Sequence, residues 1–149
     1  MHRSIIEANS RERTRLRHLV AGLTDDQLAL AMGDDWTIAI ALAHLAFWDQ
    51  RSLTLIRKWK HTGVVQPSPI DIDVTNETLL SLWRQLRPRA AADLAVASAE
   101  AVDSEVAATS GEMIAQIERI EGRSRIDRSI HRKMHLDQIE KRLEGRDAG

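Results

Sequence analysis

The 149-residue chain has no cysteine and no tyrosine, one phenylalanine, three prolines and seven glycines. Without cysteine there are no disulfides, no thiolate metal ligands and no cysteine nucleophile, which fits a cytoplasmic protein. The shortage of aromatic and grouped β-branched residues argues against a strand-rich fold. Long apolar runs are also lacking. None approaches the roughly 18 residues that suggest a membrane span, and the opening MHRSIIEANSRER does not read as a signal peptide. A net charge of −1 argues against nucleic acid as a partner of the whole molecule.

What is present is an ordinary globular composition, 43% hydrophobic and 29% charged, enough for one domain over residues 1–149. Charge is unevenly spread. Arg3, Arg11, Arg13, Arg15 and Arg17 make the start basic, the last thirty residues are Arg-rich, and residues 90–118 carry only acids. Oppositely charged neighbouring helices explain this better than a dedicated polyanion patch.

The periodicity predicts an all-α fold. A first helix covers 3–21, with Ile5, Leu16, Leu19, Val20 and Leu23 on one side. Asn9, Glu12 and Arg13 fall on that same side. Thr24 to Gln27 reads as a capping box opening a short turn, and Gly33-Asp34-Asp35 as another turn. Thr37 caps a long helix over 37–60, ended by His61-Thr62-Gly63. Two prolines make 64–74 a loop. A short helix over 75–86 and a long Ala-rich helix over 89–109 follow. Gly111 and Gly122 bracket one more short helix, and 125–143 forms the last long one, stopped by Gly145. Four long helices with short extras make a four-helix bundle.

Chemistry concentrates in the histidines. His44 sits in the apolar stretch DDWTIAIALAHLAFWDQR, where an unpaired ring is unfavourable by roughly 1–3 kcal/mol. Its partner is a carbonyl, a carboxylate, a water or a metal ion. In the last helix His131 and His135 stand one turn apart on one face, with a spacing that lets both reach one ion. By itself that pair is also common in exposed or singly bonded histidines. The glutamate of the His-Glu-x-x-His protease signature is absent, which disfavours peptide hydrolysis. Together His44, His131 and His135 offer three neutral nitrogen ligands from two facing helices and leave a coordination position for water or substrate.

The stretch Gly33-Asp34-Asp35-Trp36-Thr37, then Ala43-His44-Leu45-Ala46-Phe47-Trp48-Asp49, then the His131/His135 pair, resembles the pattern of the DinB/YfiT-like superfamily. That group includes the N-terminal domain of mycothiol-dependent maleylpyruvate isomerase. The resemblance runs over nearly the whole chain and implies a bundle holding a divalent metal, zinc or nickel, on the matching histidines. It further implies a thiol-dependent S-transferase or isomerase whose partners are a small-molecule thiol (mycothiol, bacillithiol or glutathione) and an electrophile. The chain departs from the isomerase in ending after the bundle. It also has histidine at position 131, where some relatives place a carboxylate.

Around the expected site, Arg51 reads either as a grip for a substrate carboxylate or as a surface cation. Trp48 reads as a substrate contact and Trp36 as a core anchor. Asn9 and Arg13 fit the wall of a polar cavity, or else the frayed half of an amphipathic helix. Asp127, one turn before His131, either accepts that ring's second N–H or complements the helix dipole. Trp59 and Trp83 look exposed and hint at a homodimer. Two other functions compete with thiol transfer: a non-catalytic metal-binding or stress-related helical protein, and a metal-dependent hydrolase.

Overall fold

Four long helices carry the structure, a computed structural model that describes residues 2–33 and 35–147, the side chains of Arg146 and Asp147 excepted. They are α1 (His2–Gly22), α3 (Ile38–Thr62), α5 (Pro88–Ala107) and α7 (Ser129–Asp147). Three short helices, α2 (Asp25–Leu28), α4 (Ile72–Trp83) and α6 (Gly111–Ile120), fill the connections. α3 packs chiefly on α5, α5 on α1, α1 on α7, and α7 closes back on α3. The all-α four-helix bundle with short extra helices therefore stands as expected, and no described helix is long and apolar enough to cross a membrane.

Local chemistry accounts for most boundaries. Thr24 and Gln27 form the capping box of α2, and the Thr37 side chain accepts from Ile40 N to start α3. Gly63, at φ 76°, ends α3 in the left-handed conformation that glycine adopts without penalty. Pro88 opens α5 at a position where its missing N–H loses nothing.

Four expectations need correction. The turn around Gly33 carries a short antiparallel pair, β1 (Ala31–Gly33) with β2 (Trp36–Thr37), although Asp34 lies outside the described residues. α4 begins earlier than expected because the Asp71 side chain caps Val74 N. α7 begins at Ser129 rather than 125, after a 3₁₀ turn over Arg123–Arg125, and runs through Gly145 instead of stopping there. Trp59 and Trp83 are buried, at 2% and 6% exposure, so neither offers a surface for self-association.

The core is layered. One apolar cluster gathers Leu16, Leu42, Leu45, Ala92, Ala95 and Leu136, where small residues on α5 let it approach α3 closely. A second gathers Ile5, Leu53, Ile56, Val102, Val106 and Ile126. Burying each large aliphatic side chain contributes about 1.5–3 kcal/mol. Every long helix contributes polar residues between the two: Asn9 and Glu12 from α1, Asp49 and Ser52 from α3, Asp103 from α5 and Arg132 from α7. Arg13 and Arg17 of α1 pair with Asp103 and Glu100 of α5, so the basic and acidic helices are neighbours.

Candidate metal centre

The most buried stretch of α3 delivers His44, and α7 delivers His131 and His135 one turn apart. One ring nitrogen of each lies within 4.8 Å of the others. His44 Nε2 and His131 Nε2 are 3.0 Å apart. Two nitrogens bound to one ion at ~2.0–2.1 Å stand about 3.0–3.4 Å apart, so this pair is already at ligand spacing. His135 donates Nδ1–H to Gln138 Oε1 at 3.1 Å, which leaves its Nε2 lone pair free.

All three rings are neutral at pH 7. Burial pushes His44 down to about 3, with the neighbouring His135 adding to the effect against a contact with Asn76. Burial and then the charge of Arg128 push His131 down to about 2. Burial also lowers His135, against its bond to Gln138. Neutral imidazoles offer lone pairs without first losing a proton.

Two details qualify the fit to a metal. His44 Nδ1 is buried without a hydrogen-bond partner among the described residues. Arg128 Nη2 lies 3.2 Å from His131 Nδ1, and a guanidinium can only donate. His131 therefore keeps its proton on Nε2, facing His44 Nε2. Three neutral nitrogens at this spacing suit a divalent ion, and holding one through His131 Nε2 would require that proton to sit on Nδ1, where Arg128 now donates.

Aromatic rings surround the cluster. Trp36, Trp83 and Trp48 have centroids 4.8, 5.7 and 6.3 Å from that of His44. Trp48 Nε1 donates to Asn76 Oδ1 at 3.0 Å, tying α4 to the site. A cavity of about 440 Å³ meets all three histidines, and Trp48, Asn76, Arg125 and Arg128 also line it. A larger one, about 670 Å³, shares Trp36 and His135 with it and carries Lys141 and Arg142. The smaller cavity is the one that gives access to the whole cluster.

Of the residues expected around the site, Trp48 lines this cavity and Arg51, Asn9, Arg13 and Asp127 do not. Arg51 donates to Ser68 O and Oγ instead. Asn9 staples α1 to the start of α7: its Nδ2 donates to Ile126 O, and its Oδ1 accepts from Arg128 N and Ser129 N. Arg13 pairs with Asp103 at 2.8 Å. Asp127 touches neither ligand ring; it accepts from Ser129 N and Oγ and from Arg123. Asn9 and Arg13 face the apolar side of α1 because the interior holds a hydrogen-bonded polar layer, not because they reach the cavity.

The residues that sequence reasoning missed lie in that layer. Arg132 is wholly buried and donates to both Asp49 and Asp103, and Arg128 Nε donates to Asp49 at 2.8 Å. A signal was there: Arg128, His131, Arg132 and His135 occupy positions i, i+3, i+4 and i+7, the spacing of an inward helix face. Arg-rich helices are usually read as solvated, and that habit hid it.

A family model described as the DinB superfamily matches residues 8–119. The matched segment contains His44 and ends before His131 and His135. No curated protein and no solved structure matches the chain.

Proposed function

Because the chain belongs to the DinB superfamily, we propose that it is a divalent-metal enzyme, using zinc or nickel, that performs S-transfer or isomerisation with a low-molecular-weight thiol. One observation carries this reading: three neutral imidazole nitrogens within 4.8 Å of one another meet the same cavity. A divalent ion held there with a position open favours the thiolate form of a bound thiol.

The chain's own residues have definite tasks. His44, His131 and His135 hold the ion, and Gln138 fixes the orientation of His135. Trp36 and Trp48 exclude water from one side of the cluster and offer flat apolar surface to a substrate. No side chain acts as a sulfur nucleophile, since the chain has no cysteine; the co-substrate brings the sulfur. Rates with candidate thiols and an activated electrophile, with and without zinc or nickel, test the proposal. Metal-dependent turnover that disappears in His44→Ala is the expected result, and equal rates for wild type and variant overturn it.

A second reading draws on the Arg128 contact. With Arg128 donating to His131 and His131 to His44, the cluster is partly satisfied without an ion, as in a non-catalytic helical protein with structural histidines. That reading requires a protein that takes up no metal.

A further inference from the structure

The cavity beside the histidines holds cations and no anion. Arg125 and Arg128 line it, and among the described residues no carboxylate does. The two cations differ. Arg128 is neutralised by Asp49 at 2.8 Å and anchored on Ser124 O. Among the described residues Arg125 has only Glu121, at 3.8 Å, and that carboxylate also accepts from Ser68 N. Arg125 Nε is buried without a hydrogen-bond partner among the described residues, as is Nη1 of the neighbouring Arg51. Arg51 and Arg128 repel the charge on Arg125, adding to its burial in lowering its affinity for a proton. Buried guanidinium N–H groups in native proteins are nearly always matched, so the unbonded Nε of Arg125, a residue that lines the cavity, points to a missing acceptor.

Beside the three histidines, Asn76 and Ser124, the remaining lining of the cavity is apolar. Trp36 and Trp48 line it, and Ile72 and Met134, each about half exposed, stand at its rim. We propose that this cavity binds a carboxylate-bearing small molecule, with the carboxylate on Arg125 and the apolar body against Trp36 and Trp48. A guanidinium presents two parallel N–H groups that match a carboxylate's two oxygens. The inference rests on the preceding reading in treating the cavity as a substrate site, and it narrows the substrate class to carboxylates. The binding step itself needs no metal.

Metal-free protein and a matched pair of probes test it. Benzoate and benzyl alcohol present the same ring with and without the charge. Binding is followed by calorimetry and by tryptophan fluorescence. Benzoate binds at least about tenfold more tightly than benzyl alcohol to the wild type. Arg125→Gln abolishes that preference and leaves benzyl alcohol unchanged, while Arg125→Lys keeps part of it. Circular dichroism checks that each variant is folded; should Arg125→Gln fail to fold, the wild-type preference and its reduction in Arg125→Lys carry the test. Equal affinity for the two probes, no benzoate binding, or a full preference in a folded Arg125→Gln protein overturns the proposal. A parallel zinc titration separates the two ideas. Benzoate preference without zinc uptake sinks only the metal reading, and zinc uptake without benzoate preference sinks only this one.

Discussion

Two buried polar clusters lie a turn or two apart between α3 and α7, and they are built on opposite terms. In the first, Arg132 donates to Asp49, Asp103 and the Asn9 carbonyl, and both carboxylates have further partners in Arg128 and Arg13. In the second, His44 Nδ1 and Arg125 Nε have no hydrogen-bond partner among the described residues, and three imidazoles face one another. A buried network whose charges are all paired holds helices in register, whereas one with unpartnered groups facing a cavity is arranged for something that arrives from outside. Stability and ligand binding should therefore separate cleanly between the two.

The largest effect on stability is expected at Arg132. Arg132→Met leaves Asp49 and Asp103 with one cation each in a dry interior, and breaking a buried ion network of this kind costs roughly 3–5 kcal/mol. Urea unfolding measures it; a loss under about 1 kcal/mol would mean the layer is dispensable. Acid comes next, acting on the other cluster. The His44 and His131 values are depressed in the folded protein, so the unfolded chain binds more protons below its ordinary histidine value near 6.5. Their contribution is full above pH 6.5 and is lost as pH falls toward about 3 for His44. The slope is about 1.4 kcal/mol per pH unit for each neutral buried histidine. Melting of metal-free protein between pH 7 and 5 should show a shallower decline in His44→Ala than in wild type; identical slopes would contradict the assignment.

Smaller effects sharpen the contrast. Arg128→Met removes the donor that holds the His131 proton on Nε2, while Asp49 keeps Arg132. Zinc affinity should rise by about tenfold or more, roughly the worth of one hydrogen bond to a charged group. A fall would mean Arg128 supports the ion rather than competing with it. At the bottom of the scale, Arg17→Ala removes a pair with Glu100 in which both side chains are about half exposed, and should shift stability by less than about 1 kcal/mol.

Legibility in the sequence followed the range of the interaction. Thr37, Gly63 and Pro88 set helix ends through neighbours within a few residues, and those ends were readable. The start of α7 was not, because Asn9, more than a hundred residues away, takes the N–H groups of Arg128 and Ser129. His44, His131 and His135 could be proposed together from helix geometry. The division of the surrounding arginines could not, since Arg51, Arg125, Arg128 and Arg132 look alike in sequence. Only the placement of Asp49, Asp103 and Glu121 distinguishes a neutralised guanidinium from one that is not.

The central claim is that His44, His131 and His135 hold one divalent ion between them. Elemental analysis of untagged protein, loaded with zinc or nickel and then dialysed, tests it most directly. The account predicts about one equivalent per chain, falling below about a tenth in His44→Ala, His131→Ala and His135→Ala alike. Wild-type protein that retains no metal, or alanine variants that retain a full equivalent, would contradict it.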